Sequence, residues 1–193
     1  MGKNPKLNYL NVAKILRDQE GQNNRNIGMG NEKALNQLIA HHSVIFEPEK
    51  KRFWVSSSPY QLGEFICYDL NKIFADTFSL LENKEIATSE FNIPADTFLL
   101  SANWKLFLKF REMRQQLKDV IKTKGSIKED IFIQAFQQSN PEFWETYFWI
   151  AEYYRSNGSK QNAINYYEKA MTKEVNAKSE IEKIKRLILE CRK

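Results

Sequence analysis

Among 193 residues there are only two cysteines, two histidines, five prolines and seven glycines, and each shortage removes a class of chemistry. Two His and no Cys-x-x-Cys spacing leave no ligand set for a structural zinc site. Cys67 and Cys191 stand far apart in sequence, each on a predicted apolar face. They read as two packed free thiols, with a single disulfide as the alternative. Apolar runs are short, Ile131-Phe132-Ile133 being typical, so no membrane span is expected. No positively charged segment followed by an apolar stretch opens the chain, and no export signal of its own is expected. Ser56-Ser57-Ser58-Pro59 has no Gly-x-Ser-x-Gly pattern and reads as a turn. Gly28-x-Gly30 is not a phosphate loop, because no strand precedes it and no Gly-Lys-Ser/Thr or third Gly follows.

What is present suffices for a folded chain. A hydrophobic content of 42% with 13% aromatics builds a core, and 27% charged residues keep it soluble. The net charge of +5 lies in the second half, where 18 Lys/Arg face 12 Asp/Glu; residues 1–100 hold 11 and 12. Most of the excess falls between Lys105 and Lys128. It reads as the solvated face of an amphipathic helix, and no nucleic-acid partner is expected.

Asn31–Leu70 organises the rest. His42–Phe46 and Arg52–Ser56 are rich in Val, Ile, Phe and Trp, and Glu47-Pro48-Glu49-Lys50-Lys51 between them suits a hairpin loop. Glu64–Tyr68 follows as a third strand. Ser43-Val44-Ile45-Phe46 and Phe53-Trp54-Val55 put bulky groups on both faces, which predicts strands covered on both sides. Three strands do not make such a sandwich alone, so further layers are expected from elsewhere. His41 and His42 point to opposite faces at the strand entrance and cannot chelate one metal comfortably.

Around this core the spacing predicts a short helix over Leu7–Arg17 behind Asn4-Pro5. Its inward face is expected to carry Leu7, Leu10, Val12, Ile15 and Leu16. Glu20–Gly30, with three Gly and three Asn, reads as a loop with no core. Asn31 is expected to cap a helix through Leu38, with Ala34, Leu35 and Leu38 inward. A short helix is predicted over Leu70–Phe78. Pro94 marks a domain boundary, giving 1–93 and 94–193. Beyond it a long helix runs from Ala95 to Lys124 on Leu106, Phe110, Met113, Leu117 and Val120/Ile121, ended by Gly125. A further helix is expected over Ser126–Gln137, opened by a capping box at Ser126-x-x-Glu129.

In Pro141–Val175, residues Tyr147, Ile150, Ala151, Tyr154, Gly158, Ala163, Tyr167 and Ala170 fall on a register that resembles a tetratricopeptide repeat. The sequence departs from that pattern in lacking Trp at the first of these positions and Pro near Val175. Ile181, Ile184, Leu187/Ile188 and Cys191 supply a closing helix. Tyr147, Tyr154 and Tyr167 are the residues such a repeat would offer to a peptide groove. The plainer expectation is a helical appendage stacked on a neighbouring domain.

Several ordered blocks between Leu7 and Phe74 carry a second resemblance: Leu10–Asp18, Gly30–Ala34, His42–Phe46, Trp54–Ser56, Pro59–Gly63 and Tyr68–Leu70. Together they resemble the C-terminal part of acyl-coenzyme A:6-aminopenicillanic acid acyltransferase-like proteins. These are N-terminal-nucleophile hydrolases related to choloylglycine hydrolases. The resemblance implies part of a four-layer αββα fold; with the helices read above, the expected chain is α+β, a partial αββα sheet segment in the first half and all-α tetratricopeptide-like helices in the second. It also implies a mechanism in which an N-terminal Cys attacks an amide and its free α-amine moves the proton. No residue of this chain matches that nucleophile, and the first cysteine, Cys67, lies in a predicted strand.

The expectation is therefore a C-terminal fragment or subunit of an amide-cleaving or acyl-transferring enzyme, inactive alone. It has no catalytic residue, metal or cofactor of its own, and its partner is an upstream catalytic segment or chain. Asn31 is the one position that could face an acyl pocket, with a plain helix cap as its simpler role. The alternative is a protein-interaction module using the tetratricopeptide-like helices to hold a protein or peptide. Compartment stays open; a periplasmic or extracellular one follows if a signal lies on the missing upstream part.

Overall fold

A computed structural model describes residues 7–75 and 85–193, a mixed α and β chain. It divides into two compact units, Met1–Gln19 with Leu35–Leu100, and Glu20–Ala34 with Ser101–Lys193. The division is not a single cut at Pro94. Residues Glu20–Ala34 belong with the helices, and the first unit runs on to Leu100.

The first unit is built on a three-stranded antiparallel sheet: β1 (Val44–Glu47), β2 (Arg52–Ser56) and β3 (Phe65–Asp69), in that order. The hairpin loop turns through Pro48–Lys50 and ends with Lys51 in the left-handed region at φ 54°. There the Lys51 N–H donates to Pro48 O at 3.0 Å. Register sets Val44 opposite Val55 and Val55 opposite Ile66; Phe46 faces Phe53, and Phe53 faces Tyr68.

Every buried strand residue lies on one face of the sheet, so among the described residues the strands are covered on one side and not on both as predicted. Ile45, Trp54, Phe65 and Cys67 are buried on the inner face. Helix α1 (Tyr9–Leu16) covers this face with Ala13 buried and Tyr9, Val12 and Leu16 packed on the cluster; Phe91 and Ile93 complete it. The inward stripe of α1 thus runs Tyr9, Val12/Ala13, Leu16. Leu7, Leu10 and Ile15, expected inward, are exposed. On the outer face the bulky side chains shield one another sideways. The Phe53 and Tyr68 rings stack at 4.9 Å, and Phe46 and Phe53 meet at 6.2 Å.

At the end of the sheet Asp69 is buried beside Arg52, with Nε to Oδ2 at 2.9 Å. Burial pushes the Asp69 carboxyl up, but the Arg52 guanidinium and the N–H groups of Asn71 and Lys72 outweigh it and hold it below its ordinary range. A carboxyl lowered by folding stabilises the fold fully above its unfolded pKa, and that stability is lost as pH falls through the folded value. Arg52→Ala is expected to cost about 2–3 kcal/mol near neutral pH, since an unpaired buried carboxylate remains. Without Arg52 the carboxyl loses a main cause of its lowering, so part of the gap should close on acidification. Urea titrations near pH 7 and about pH 4 check this; a gap that widens in acid contradicts it.

After β3, α2 (Leu70–Ile73) is capped by Asp69, whose Oδ1 accepts the Asn71 N–H at 3.0 Å. The helix predicted to Phe78 ends at Ile73, with Phe74 as its C-cap; its positions 76–78, like the Asn4-Pro5 start of the first predicted helix, lie outside the described residues. The helix predicted from Asn31 to Leu38 does not form. These residues are turns, with Leu38 at φ 52°, Ala34 and Leu38 buried and Leu35 exposed.

The second unit holds five α-helices: α3 (Ala102–Thr123), α4 (Glu129–Ser139), α5 (Trp144–Ser156), α6 (Lys160–Met171) and α7 (Lys178–Arg192). Helix α3 is capped by Ser101, whose Oγ accepts the Trp104 N–H at 3.1 Å, and it buries Phe107, Phe110, Met113 and Leu117. Phe107 takes the place expected of Leu106, and Lys124 rather than Gly125 holds the left-handed C-cap, at φ 51°. Helix α4 starts at Glu129 with Lys128 as N-cap and no side-chain cap bond, so Ser126 does not cap it. Helices α5 and α6 form a hairpin around Gly158, at φ 77°. Ala151, Ala163 and Ala170 are fully covered where the two helices approach.

Into one end of this unit folds the Glu20–Ala34 segment. Its Glu20–Gly30 part, predicted to contribute no core, buries Ile27; Asn31 is buried as well, and so is Ala34, as expected. Asn140 grips its backbone twice: Oδ1 accepts the Met29 N–H at 3.0 Å, and Nδ2 donates to Met29 O at 2.8 Å.

Candidate functional site

Asn31 is fully buried, and every polar group of its side chain is in use. Nδ2 donates to Ile27 O and Glu174 O, both at 2.9 Å, and Oδ1 accepts the Lys33 N–H at 3.0 Å. The last bond is an Asx turn rather than the helix cap predicted. Asn31 thus anchors the Glu20–Ala34 segment to the residues after α6, and no group of its amide is spare for an acyl pocket.

Cys67 lies on the inner face of β3, fully buried, its N–H donating to Asn92 Oδ1 at 2.9 Å. Burial pushes its thiol up, and Arg52 offsets this only in part. Burial also raises Cys191, on the inward face of α7. Both are free thiols, protonated at neutral pH and shut away from a substrate. Neither should react with an aromatic disulfide reagent in the native protein, and both should react once urea unfolds it. A fast-reacting thiol in buffer would contradict this burial.

The three tyrosines singled out for a groove separate. Tyr147 and Tyr167 are core residues, 4% and 0% exposed. The Tyr147 hydroxyl donates to Pro141 O at 2.8 Å, and that of Tyr167 donates to Glu152, which Arg155 holds from the other side. Only Tyr154 is half-buried, stacked on Tyr166 at 5.5 Å. The register that identified them places large aromatics where helices pack, and packing is what two of them do. His41 and His42 are both exposed at the entrance to β1.

Within the first unit a cleft of about 400 Å³ opens between α1 and residues 93–97, with Arg17 at its base. That guanidinium is occupied. Nη2 donates to Gly63 O at 2.7 Å and Pro94 O at 2.9 Å, Nε donates to Gln61 O at 3.3 Å, and the group lies over the Phe65 ring. Within the second unit an open cleft of about 690 Å³ is lined by Arg25, Lys33 and Glu174. Its charges are closed on each other, both cations pairing with the Glu174 carboxylate. Lys33 above all, with Arg25, holds that carboxyl below its usual range. Among the described residues no group of three His, Cys, Asp or Glu is placed to hold a metal ion, and no helix is long and apolar enough to cross a membrane.

The surface with most to offer is the outer face of the sheet. Two cross-strand rows, Val44–Val55–Ile66 and Phe46–Phe53–Tyr68, make an apolar patch on which Phe46 is 71% and Val44 39% exposed. The sequence signal is apolar bulk on both sides of these strands: Ile45, Trp54, Phe65 and Cys67 fall on one face and these six on the other. No protein-family model matches the chain, and no curated protein or solved structure matches it either.

Proposed function

We propose that this chain is the non-catalytic, sheet-bearing part of an amide-cleaving or acyl-transferring enzyme, and that it is inactive by itself. One observation carries the reading: the sheet has a filled inner face, while its equally apolar outer face is left partly open among the described residues. A solvated outer face would carry polar residues at Val44, Phe46, Phe53, Val55, Ile66 and Tyr68. Instead these six suit one side of a layered domain whose facing layer lies on another polypeptide. The acyltransferase-like blocks agree with this, since His42–Phe46, Trp54–Ser56 and Tyr68–Leu70 all fall on or beside these strands. Asn31, Cys67 and Arg17 serve as scaffold in this reading, and the nucleophile is the partner's.

Co-expression with the polypeptide encoded immediately upstream, followed by native mass spectrometry, tests the reading. A one-to-one complex is expected. Recovery of this chain only as a free monomer would contradict it.

A further inference from the structure

An apolar groove runs between α3 and the start of α4, wholly within the helical unit. Met113, Val120, Ile127, Ile131, Phe132 and Ala135 line it, around a volume of about 470 Å³. It opens away from α5: Phe110, Arg114 and Lys118 meet Phe143, Glu145 and Trp149 from a different side of α3. The lining is recessed. Met113 is buried, Val120, Phe132 and Ala135 are half-buried, and Ile131 stands at the rim, 72% exposed.

Three lysines border this groove. Lys128 lines it, Lys109 precedes Met113 by one turn on the same face, and Lys124 follows Val120 by four residues. All three are exposed, and among the described residues none is in an ion pair. The carboxylates of α3 on that flank are engaged, Glu112 by Gln116 and Asp119 by Gln115.

We infer that the groove holds an amphipathic helix of another polypeptide, apolar on one side and acidic along its flanks. A helix satisfies its own backbone. An extended segment would bring unpaired N–H and C=O groups to a lining whose polar side chains are Gln116 and Lys128. From Met113 to Val120 α3 rises about 10 Å, the span of apolar anchors at i, i+4 and i+7 on an incoming helix. Acidic flanks answer the lysine border. A second copy fits badly for the same reason. In a face-to-face pair about a twofold axis, the lysine border of one copy would meet that of the other. Nor does any described helix expose two large apolar side chains three or four residues apart for insertion. Leu10 and Ile15 of α1 stand five apart, and Leu108, Ile131 and Leu189 are single on α3, α4 and α7. A bilayer surface, although anionic, engages protruding apolar groups rather than a recess. The occupant of this groove is independent of the enzyme reading.

Fluorescence anisotropy of the full chain with labelled probe peptides, each about 15 residues long, tests this. The first probe is a helix former with leucine at i, i+4 and i+7 and glutamate beside them. The second has lysine for each glutamate, and the third keeps the acidic sequence but carries a central proline. The acidic helix should bind at about 10 μM, roughly tenfold tighter than either control. Ile131→Glu changes an exposed position, so helical circular dichroism should be kept while the acidic helix binds about tenfold more weakly. Lys128→Glu should weaken the acidic helix about fivefold and tighten the lysine helix. No saturation by about 1 mM, or equal binding of the acidic helix and either control, would overturn the inference. Binding of phosphatidylserine vesicles in place of the acidic helix would assign the groove to a membrane. Self-association abolished by Ile131→Glu would assign it to a second copy, and either result overturns the occupant chosen.

Discussion

Replacing Gly28 with Ala is expected to destabilise the helical unit by about 3–5 kcal/mol, the combined cost of a left-handed alanine and an overpacked contact. Gly28 sits at φ +88°, and a Cβ built on it would lie 2.4 Å from the Phe143 backbone nitrogen and Cα. No side chain can swing away, because the obstacle is main chain at the start of α5. Gly158 supplies the control. It too is left-handed, at φ +77°, but nothing lies within 4 Å of its would-be Cβ. Gly158→Ala should therefore cost only about 1 kcal/mol, the backbone term by itself. Thermal melts followed by helical circular dichroism should show Gly28→Ala lowered by about 10 °C and Gly158→Ala only slightly. Equal shifts would mean that Gly28 does not press on Phe143.

Trp54→Ala should be the most damaging change in the sheet unit, at about 4–5 kcal/mol from the large-to-small cavity and an orphaned carbonyl. Trp54 is fully buried at the centre of β2, its ring stacked on Tyr9 of α1 at 4.6 Å. Its Nε1–H donates to Phe91 O at 2.8 Å. One side chain thus joins helix, sheet and the segment that returns along β3. Trp54→Phe keeps most of the stacking surface and loses the hydrogen bond, so it should cost about 1–2 kcal/mol. Urea titration of all three proteins orders them. If Trp54→Phe proved as costly as Trp54→Ala, the hydrogen bond rather than the packing would hold the unit.

Both changes touch features that the sequence disclosed unevenly. The hairpin was legible because Glu47–Lys51 interrupts two β-branched and aromatic runs, a local pattern with a local cause. The α5–α6 hairpin was legible for the same kind of reason, small residues recurring where helices must approach. The cover of the outer face is not legible: Phe46 and Phe53 suggest a further layer, and among the described residues they lie side by side on an open face. Asn31 misled in another way. Its side chain bonds the Lys33 N–H and so competes with the helix it was expected to start. The role of Glu20–Ala34 could not be read locally at all. Ile27 and Met29 amid Gly and Asn give only a weak hint, and the bonds that hold the segment join Met29 to Asn140, 111 positions away. Tyr147 and Tyr167 follow the same rule: a register reports which residues pack, and says nothing of which ones meet a ligand.

The most direct measurement is amide turnover by the purified chain, assayed alone and after co-purification with the upstream polypeptide on the same acyl-amide substrates. No release above the buffer rate is predicted for the chain alone, and turnover is predicted only for the complex. Hydrolysis by the isolated chain would contradict the account.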